Sequence, residues 1–148
     1  MRQINFIQPL KNKSNCVKMR IIFIQVVTIM IRIAICDDKE CDALAAKKVI
    51  RNTLNNLNQE AEIEYYLNAK EIQDKLLKRK ELLDLLILDI DMPDISGLDL
   101  AEKLRANNLK LLIIFLSNHE EFVFKAIEFQ PFRYIRKIKL ETEMPISI

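Results

Sequence analysis

Ile31-Arg32-Ile33-Ala34-Ile35-Cys36 runs into Asp37-Asp38, and Leu85-Leu86-Ile87-Leu88 runs into Asp89. Two further apolar runs repeat the pattern: Leu111-Leu112-Ile113-Ile114-Phe115-Leu116 ends at Ser117, and Tyr134-Ile135-Arg136 ends at Lys137. Short apolar runs of this kind read as buried strands of a parallel sheet. Such sheets bind ligands beyond the carboxyl ends of their strands. Carboxylates, a hydroxyl and an ammonium are therefore expected on one edge, a set suited to a divalent metal and a phosphoryl group.

Outward from these runs, helical spacing alternates with strands. A helix is expected from about Glu40, with Ala43, Ala46, Ile50, Leu54 and Leu57 on one face. Residues 62 to 67 read as a strand, and Asn68 with Glu71 as a capping box opening a helix that buries Ile72 and Leu76. Ser96 and Asp99 cap a third helix, Asn118 and Glu121 a fourth carrying Phe122, Ala126 and Phe129. After Lys139 a helical start meets Pro145, which is expected to break it, leaving the last helix truncated or degraded. Alternation with short loops predicts the α/β class: a flavodoxin-like, doubly wound five-stranded parallel sheet of order 2-1-3-4-5. That order sets Asp37-Asp38 beside Asp89. The expected division is an extension outside the fold at 1–29, a domain at 30–140 and a short tail at 141–148. Residues 1 to about 20 are expected to be disordered or loosely attached, and Ile21 to Ile29 either extends the first strand or forms a short surface helix.

Composition narrows the chemistry. The chain of 148 residues is half apolar, enough for one core. Gly97 is its one glycine, so no glycine-rich phosphate loop exists. Five of the 23 basic residues and none of the 21 acidic ones lie in residues 1 to 29, which leaves the body mildly acidic, without a footprint for nucleic acid. Cys16, Cys36 and Cys41 are too few and wrongly spaced for a zinc site, and their odd number argues for reduced thiols in a cytoplasmic protein. His119 is the one histidine, which excludes a histidine-based metal site. Residues 21 to 31 are too short to span a membrane and lack a small-residue cleavage site, and the site needs Asp37 and Asp38 just beyond them.

Clustered carboxylates repel one another, and a divalent cation offsets that repulsion; an all-oxygen set suits Mg2+ or Mn2+. Magnesium takes one or two carboxylates, here Asp38 and Asp89, while Asp37 holds a metal-bound water or pairs with Lys137. Asp89 is the candidate nucleophile, forming an acyl phosphate. Lys137 and the metal spread the charge of the transferred group, and Ser117 donates to a phosphoryl oxygen. Gly97 is expected to supply a backbone conformation that other residues resist.

Residues 30 to 140 resemble the receiver domain of bacterial response regulators, through Ile35-Cys36-Asp37-Asp38, Leu88-Asp89-Ile90-Asp91-Met92-Pro93-Asp94-Ile95-Ser96-Gly97, Phe115-Leu116-Ser117 and Tyr134-Ile135-Arg136-Lys137. Ser117-Asn118-His119-Glu120-Glu121-Phe122 with Gln130-Pro131-Phe132-Arg133-Tyr134-Ile135-Arg136-Lys137 is closer still to receivers of LytTR-type regulators. The resemblance implies that Asp89 is the phosphoacceptor, Asp37 and Asp38 the acid pair, and the backbone carbonyl of Asp91 a further metal ligand. It implies that Ser117 is the switch hydroxyl, Tyr134 the aromatic that swings inward, and Lys137 the family's lysine. Many receivers follow that lysine with a cis proline; Ile138 stands here. The implied role is a phosphorylation-controlled switch, not an enzyme beyond self-phosphorylation and self-dephosphorylation. Its partners would be a sensor histidine kinase and, through the helix 4–strand 5 face, a second copy, with neither direct nucleic-acid binding nor a membrane. The expectation is a truncated or single-domain response regulator, without the output domain usual in that group.

Two rivals share some of these features. A haloacid dehalogenase-type phosphohydrolase would use Asp89 and Asp91 as nucleophile and acid, with Ser117 in its second motif, but its nucleophile strand usually comes first and further acids follow the lysine. An inert fragment, its sheet uncovered by loss of the last helix, is the other.

Overall fold

The structure, a computed structural model, describes residues 4–10, 18–24 and 30–148. β1 (Ile4–Leu10) and β2 (Lys18–Ile24) pair antiparallel as a separate two-stranded sheet. Within the stretch expected to be disordered or loosely attached, Ile4–Leu10 and the start of Lys18–Ile24 are strand; Ile21 to Ile24 pairs with β1 rather than extending the next strand, and 1–3, 11–17 and 25–29 lie outside the described residues.

β3 (Ile31–Cys36), β4 (Ala61–Tyr66), β5 (Leu85–Leu88), β6 (Leu112–Ser117) and β7 (Arg133–Arg136) form one parallel sheet in the order β4-β3-β5-β6-β7. This is the anticipated 2-1-3-4-5 arrangement. Successive strand residues face opposite sides, and the core divides accordingly. Ile33 and Ile35 pack with Ala43, Ala46 and Ile50 of α1 (Glu40–Asn56) and Met144 of α5 (Leu140–Ser147). Ala34, Cys36 and Leu86 pack on the other side with Ile72 of α2 (Ala69–Gln73) and Leu100 of α3 (Gly97–Ala106). Ala126 of α4 (Val123–Ile127) joins that second cluster.

The caps of α2 and α3 form as the spacing predicts: Asn68 accepts from Glu71 N at 2.9 Å, and Ser96 Oγ accepts from Asp99 N at 3.1 Å. Four expectations are corrected. Leu57 is 60% exposed, because α1 ends at Asn56 and Leu57 lies past its last turn. Asn118 does not cap α4; a 3-10 turn at Glu120–Phe122 precedes it, and Glu121 is taken by His119 Nδ1 at 2.9 Å. Pro145 does not break the last helix. It sits near the helix end, where its missing N–H removes one hydrogen bond, and burial of Leu140 and Met144 outweighs that loss. The residues assigned to a tail therefore form most of α5 and pack on α1. Gly97, finally, does not have a positive φ. The left-handed positions fall instead to Asn58, Lys80, Asp94, Asn108 and Gln130, and there is no cis peptide bond among the described residues.

Candidate functional site

The strand ends bring Asp37, Asp38 and Asp89 together, each offering an oxygen within 4.8 Å of the others. β3 delivers the pair and β5 delivers Asp89, and the register Cys36↔Leu88 puts those ends side by side. A backbone bond ties them, Asp89 N donating to Cys36 O at 2.9 Å. Asp37 and Asp89 are buried.

Lys137, in the 3-10 turn after β7, reaches back over this edge. Its Nζ donates to Asp37 Oδ2 at 2.7 Å, Asp42 Oδ2 at 2.8 Å and Asp89 Oδ2 at 2.9 Å. Burial works to lower the pKa of this ammonium, but the hydrogen bonds to Asp37, Asp42 and Asp89 outweigh it and hold the lysine above its ordinary value. Asp37 shows the opposite balance: burial pushes its carboxyl up in spite of the bonds from Lys137 and Lys39 N. The other oxygen of Asp89 accepts from Ile90 N at 2.8 Å.

Asp38 completes the argument for a cation. Its Oδ1 is buried without a hydrogen-bond partner, the one such side-chain oxygen or nitrogen among the described residues. A buried carboxylate oxygen left alone is costly, and a divalent ion held by Asp38 and its neighbours would remove that cost. The donor set is all oxygen, which fits magnesium or manganese. The acidic cluster is thus suited to the metal expected from the sequence.

Ser117, Tyr134 and Asp91 form a second group around His119. Ser117 is fully buried and its Oγ accepts from His119 N at 3.3 Å. Tyr134 is half-buried, its hydroxyl donates to His119 O, and its ring lies 6.2 Å from that of Phe115. Burial raises the Tyr134 phenol above its usual value, with a hydrogen bond to Ser117 opposing. The Asp91 side chain is exposed and stands 3.4 Å from His119 Nε2. The hydrogen bond to Glu121 leads the causes that raise the imidazole above its usual value, although burial opposes. Sequence reading missed both Asp42 and His119 as members of the site. The available signal for Asp42 was an acid in the first turn of the helix that follows the acid pair.

Cys36 is inert by the same geometry. Burial, reinforced by Asp37 and Asp89, pushes its thiol up to about 12, and its Sγ faces Met92 Sδ at 3.6 Å. No helix among the described residues is long and apolar enough to cross a membrane.

With this geometry in view, the comparisons with known proteins are specific. The family model described as "Response regulator receiver domain" matches residues 33–145. The sensory transduction protein LytR of Staphylococcus epidermidis is 38% identical over 96 residues, covering 65% of this chain and 37% of that protein. The sensory transduction protein LytT of Bacillus subtilis is 29% identical over 108 residues, covering 73% of this chain and 42% of its own length. The chain therefore spans about two-fifths of these relatives. Among solved structures, the response regulatory domain of protein MrkE from Klebsiella pneumoniae aligns with a TM-score of 0.69 at 21% identity, covering 79% of this chain and 91% of that one. The phosphohydrolase reading finds no support in these matches.

Proposed function

The chain belongs to the response regulator receiver family, and on that premise we propose that it accepts a phosphoryl group on Asp89 from a phosphorylated histidine of a sensor kinase. An Asp89 carboxylate oxygen attacks phosphorus. The new P–O bond forms as the P–N bond to the histidine breaks, and the imidazole leaves with the electron pair. The observation that carries this reading is Lys137 Nζ bonded to Asp37 and Asp89 at once, next to a buried Asp38 oxygen that lacks a partner.

Each residue has a part. Asp37, Asp38, Asp89 and the backbone carbonyl of Asp91 would hold Mg2+ or Mn2+, which supplies positive charge to the phosphoryl oxygens when bound. Lys137 neutralises a further share of that charge. Ser117 acts as the switch hydroxyl. Tyr134 couples it to the loop before α4, a coupling supported by the shared attachment of both residues to His119. A phosphoryl group adds close to two negative charges, enough to bias a two-state element built from Ser117, Tyr134 and the α4–β7 region.

The output we assign is a changed protein-binding face rather than turnover of a substrate. Exposed Phe124 and Ile127 on α4 and Phe132 before β7 support a partner face there, a second copy included. The relatives LytR and LytT are sensory transduction proteins, which supports a place for this chain downstream of a sensor. The test is phosphoryl incorporation from an acyl phosphate in magnesium, read by intact mass. The protein gains one group and Asp89→Asn gains none; equal labelling of Asp89→Asn overturns the assignment.

A further inference from the structure

The ammonium of Lys137 has three N–H bonds, and three carboxylates from three separate elements take them: Asp37 at the end of β3, Asp89 at the end of β5, and Asp42 in the first turn of α1. Asp37 and Asp89 approach from the protein side and are buried; Asp42 closes the solvent side, with its side chain 34% exposed. Its backbone is well anchored, since Asp42 N donates to Lys39 O at 3.0 Å and the adjacent Ala43 is fully buried against the sheet.

We propose that Asp42 is a positioning residue for phosphoryl transfer, holding the Lys137 ammonium in place from the solvent side while that ammonium serves Asp89. This rests on the roles given above to Asp89 and Lys137. A lysine stem is flexible and its ammonium turns freely. Phosphorylation requires the N–H now on Asp89 to pass to a phosphoryl oxygen placed beside it. With Asp37 and Asp42 paired to the same ammonium, the nitrogen and the direction of its third N–H stay fixed beside Asp89, where a phosphoryl oxygen can take the place of the carboxylate oxygen. Without Asp42 only Asp37 restrains it, and the ammonium is drawn toward water. Asp42 is not among the oxygens clustered for the metal, so its effect is separable from metal binding. Its carboxyl is held below the usual range, first by the hydrogen bond from Lys137, so it is ionised where the domain works.

The experiment measures phosphorylation of the full chain by an acyl phosphate at saturating magnesium, with magnesium affinity and unfolding midpoint determined for each variant. Asp42→Ala is expected to lower the maximal rate about tenfold, less than the roughly hundredfold that a 1 Å misplacement can cost, with magnesium affinity unchanged. Asp42→Asn keeps an acceptor oxygen and recovers most of the rate. In a Lys137→Ala background Asp42→Ala costs nothing further, because a residue that acts through another has no effect once that other is gone. Wild-type or faster reaction of Asp42→Ala, no recovery in Asp42→Asn, or additive losses in the double variant each overturn the proposal. If Lys137→Ala reacts at the wild-type rate or Asp89→Asn is labelled, the underlying reading falls as well. If those two are impaired and Asp42→Ala is not, only the role of Asp42 falls.

Discussion

A Cβ atom on Gly97 would stand 2.0 Å from the backbone carbonyl oxygen of Asp89 and 2.9 Å from its carbonyl carbon. No carbon atom tolerates that approach, and the obstacle is backbone, which has no rotamer to escape into. Gly97 N also donates to Ile90 O at 3.0 Å, so α3 starts pressed against the strand end that carries Asp89. The single glycine of the chain is needed for space, not for a left-handed turn.

Gly97→Ala should therefore cost about 3 kcal/mol, in the range of overpacked core substitutions, and slow the labelling of Asp89 by displacing its backbone. Urea unfolding measures the first effect. A loss under about 0.5 kcal/mol, typical of an indifferent surface position, would show that α3 can move away freely.

Asp38→Ala should remove most magnesium binding without weakening the metal-free domain. The Asp38 Oδ1 has no partner to lose, and deleting a half-buried carboxylate with one buried, unpartnered oxygen beside Asp37 and Asp89 relieves repulsion and desolvation. Calorimetric titration and unfolding in chelator test the two halves. Undiminished metal affinity would remove Asp38 from the ligand set.

Arg105 binds the loops at the far end of the sheet. Its guanidinium donates to Phe129 O and Leu109 O at 2.8 Å, Leu111 O at 3.1 Å and Gln130 O at 3.3 Å. Arg105→Ala leaves those carbonyls short of donors and should cost about 2 kcal/mol. Arg105→Lys should recover little, because an ammonium cannot span the same fork. The denaturation midpoint checks both, and equal stability of the lysine variant would reduce the arginine to a point charge.

The acid response has a definite sign. Asp42, depressed by Lys137, contributes stability present above the unfolded carboxylate pKa of about 3.9 and lost as pH falls through its folded value. Asp37, raised by burial, binds its proton in the folded state first, so acidification stabilises through it until the unfolded chain protonates too. Asp37→Asn removes that second effect. Its stability relative to the parent should be most favourable near neutrality and decline toward about pH 4, measured by urea unfolding in chelator. An offset constant with pH would refute the buried-carboxyl account.

A chain beginning at Met30 should melt within a few degrees of the full one. Among the described residues, all five strands of the parallel sheet and both core clusters fall within 31–148. Unfolding of the shortened chain would make the β1–β2 pair structural.

The three central strands, β3, β5 and β6, were legible in the sequence because each is a short apolar run buried on both faces, whereas β4 and β7 at the sheet edges are only partly buried. Their order followed from the handedness of the crossovers, and with it the meeting of Asp37, Asp38 and Asp89. Lys137 was legible too, as the polar residue ending the last run. Local signals failed where tertiary contacts compete with them. Glu121 has the spacing of a cap residue for α4, but His119, fixed through Ser117 and Tyr134, takes it instead. Pro145 carries a helix-breaking signal, but the buried Leu140 and Met144 hold the helix on α1. Asp42 lies 95 residues from Lys137 in the chain. No periodicity records such a distance; only the packing of α1 against the sheet brings that carboxylate to the ammonium.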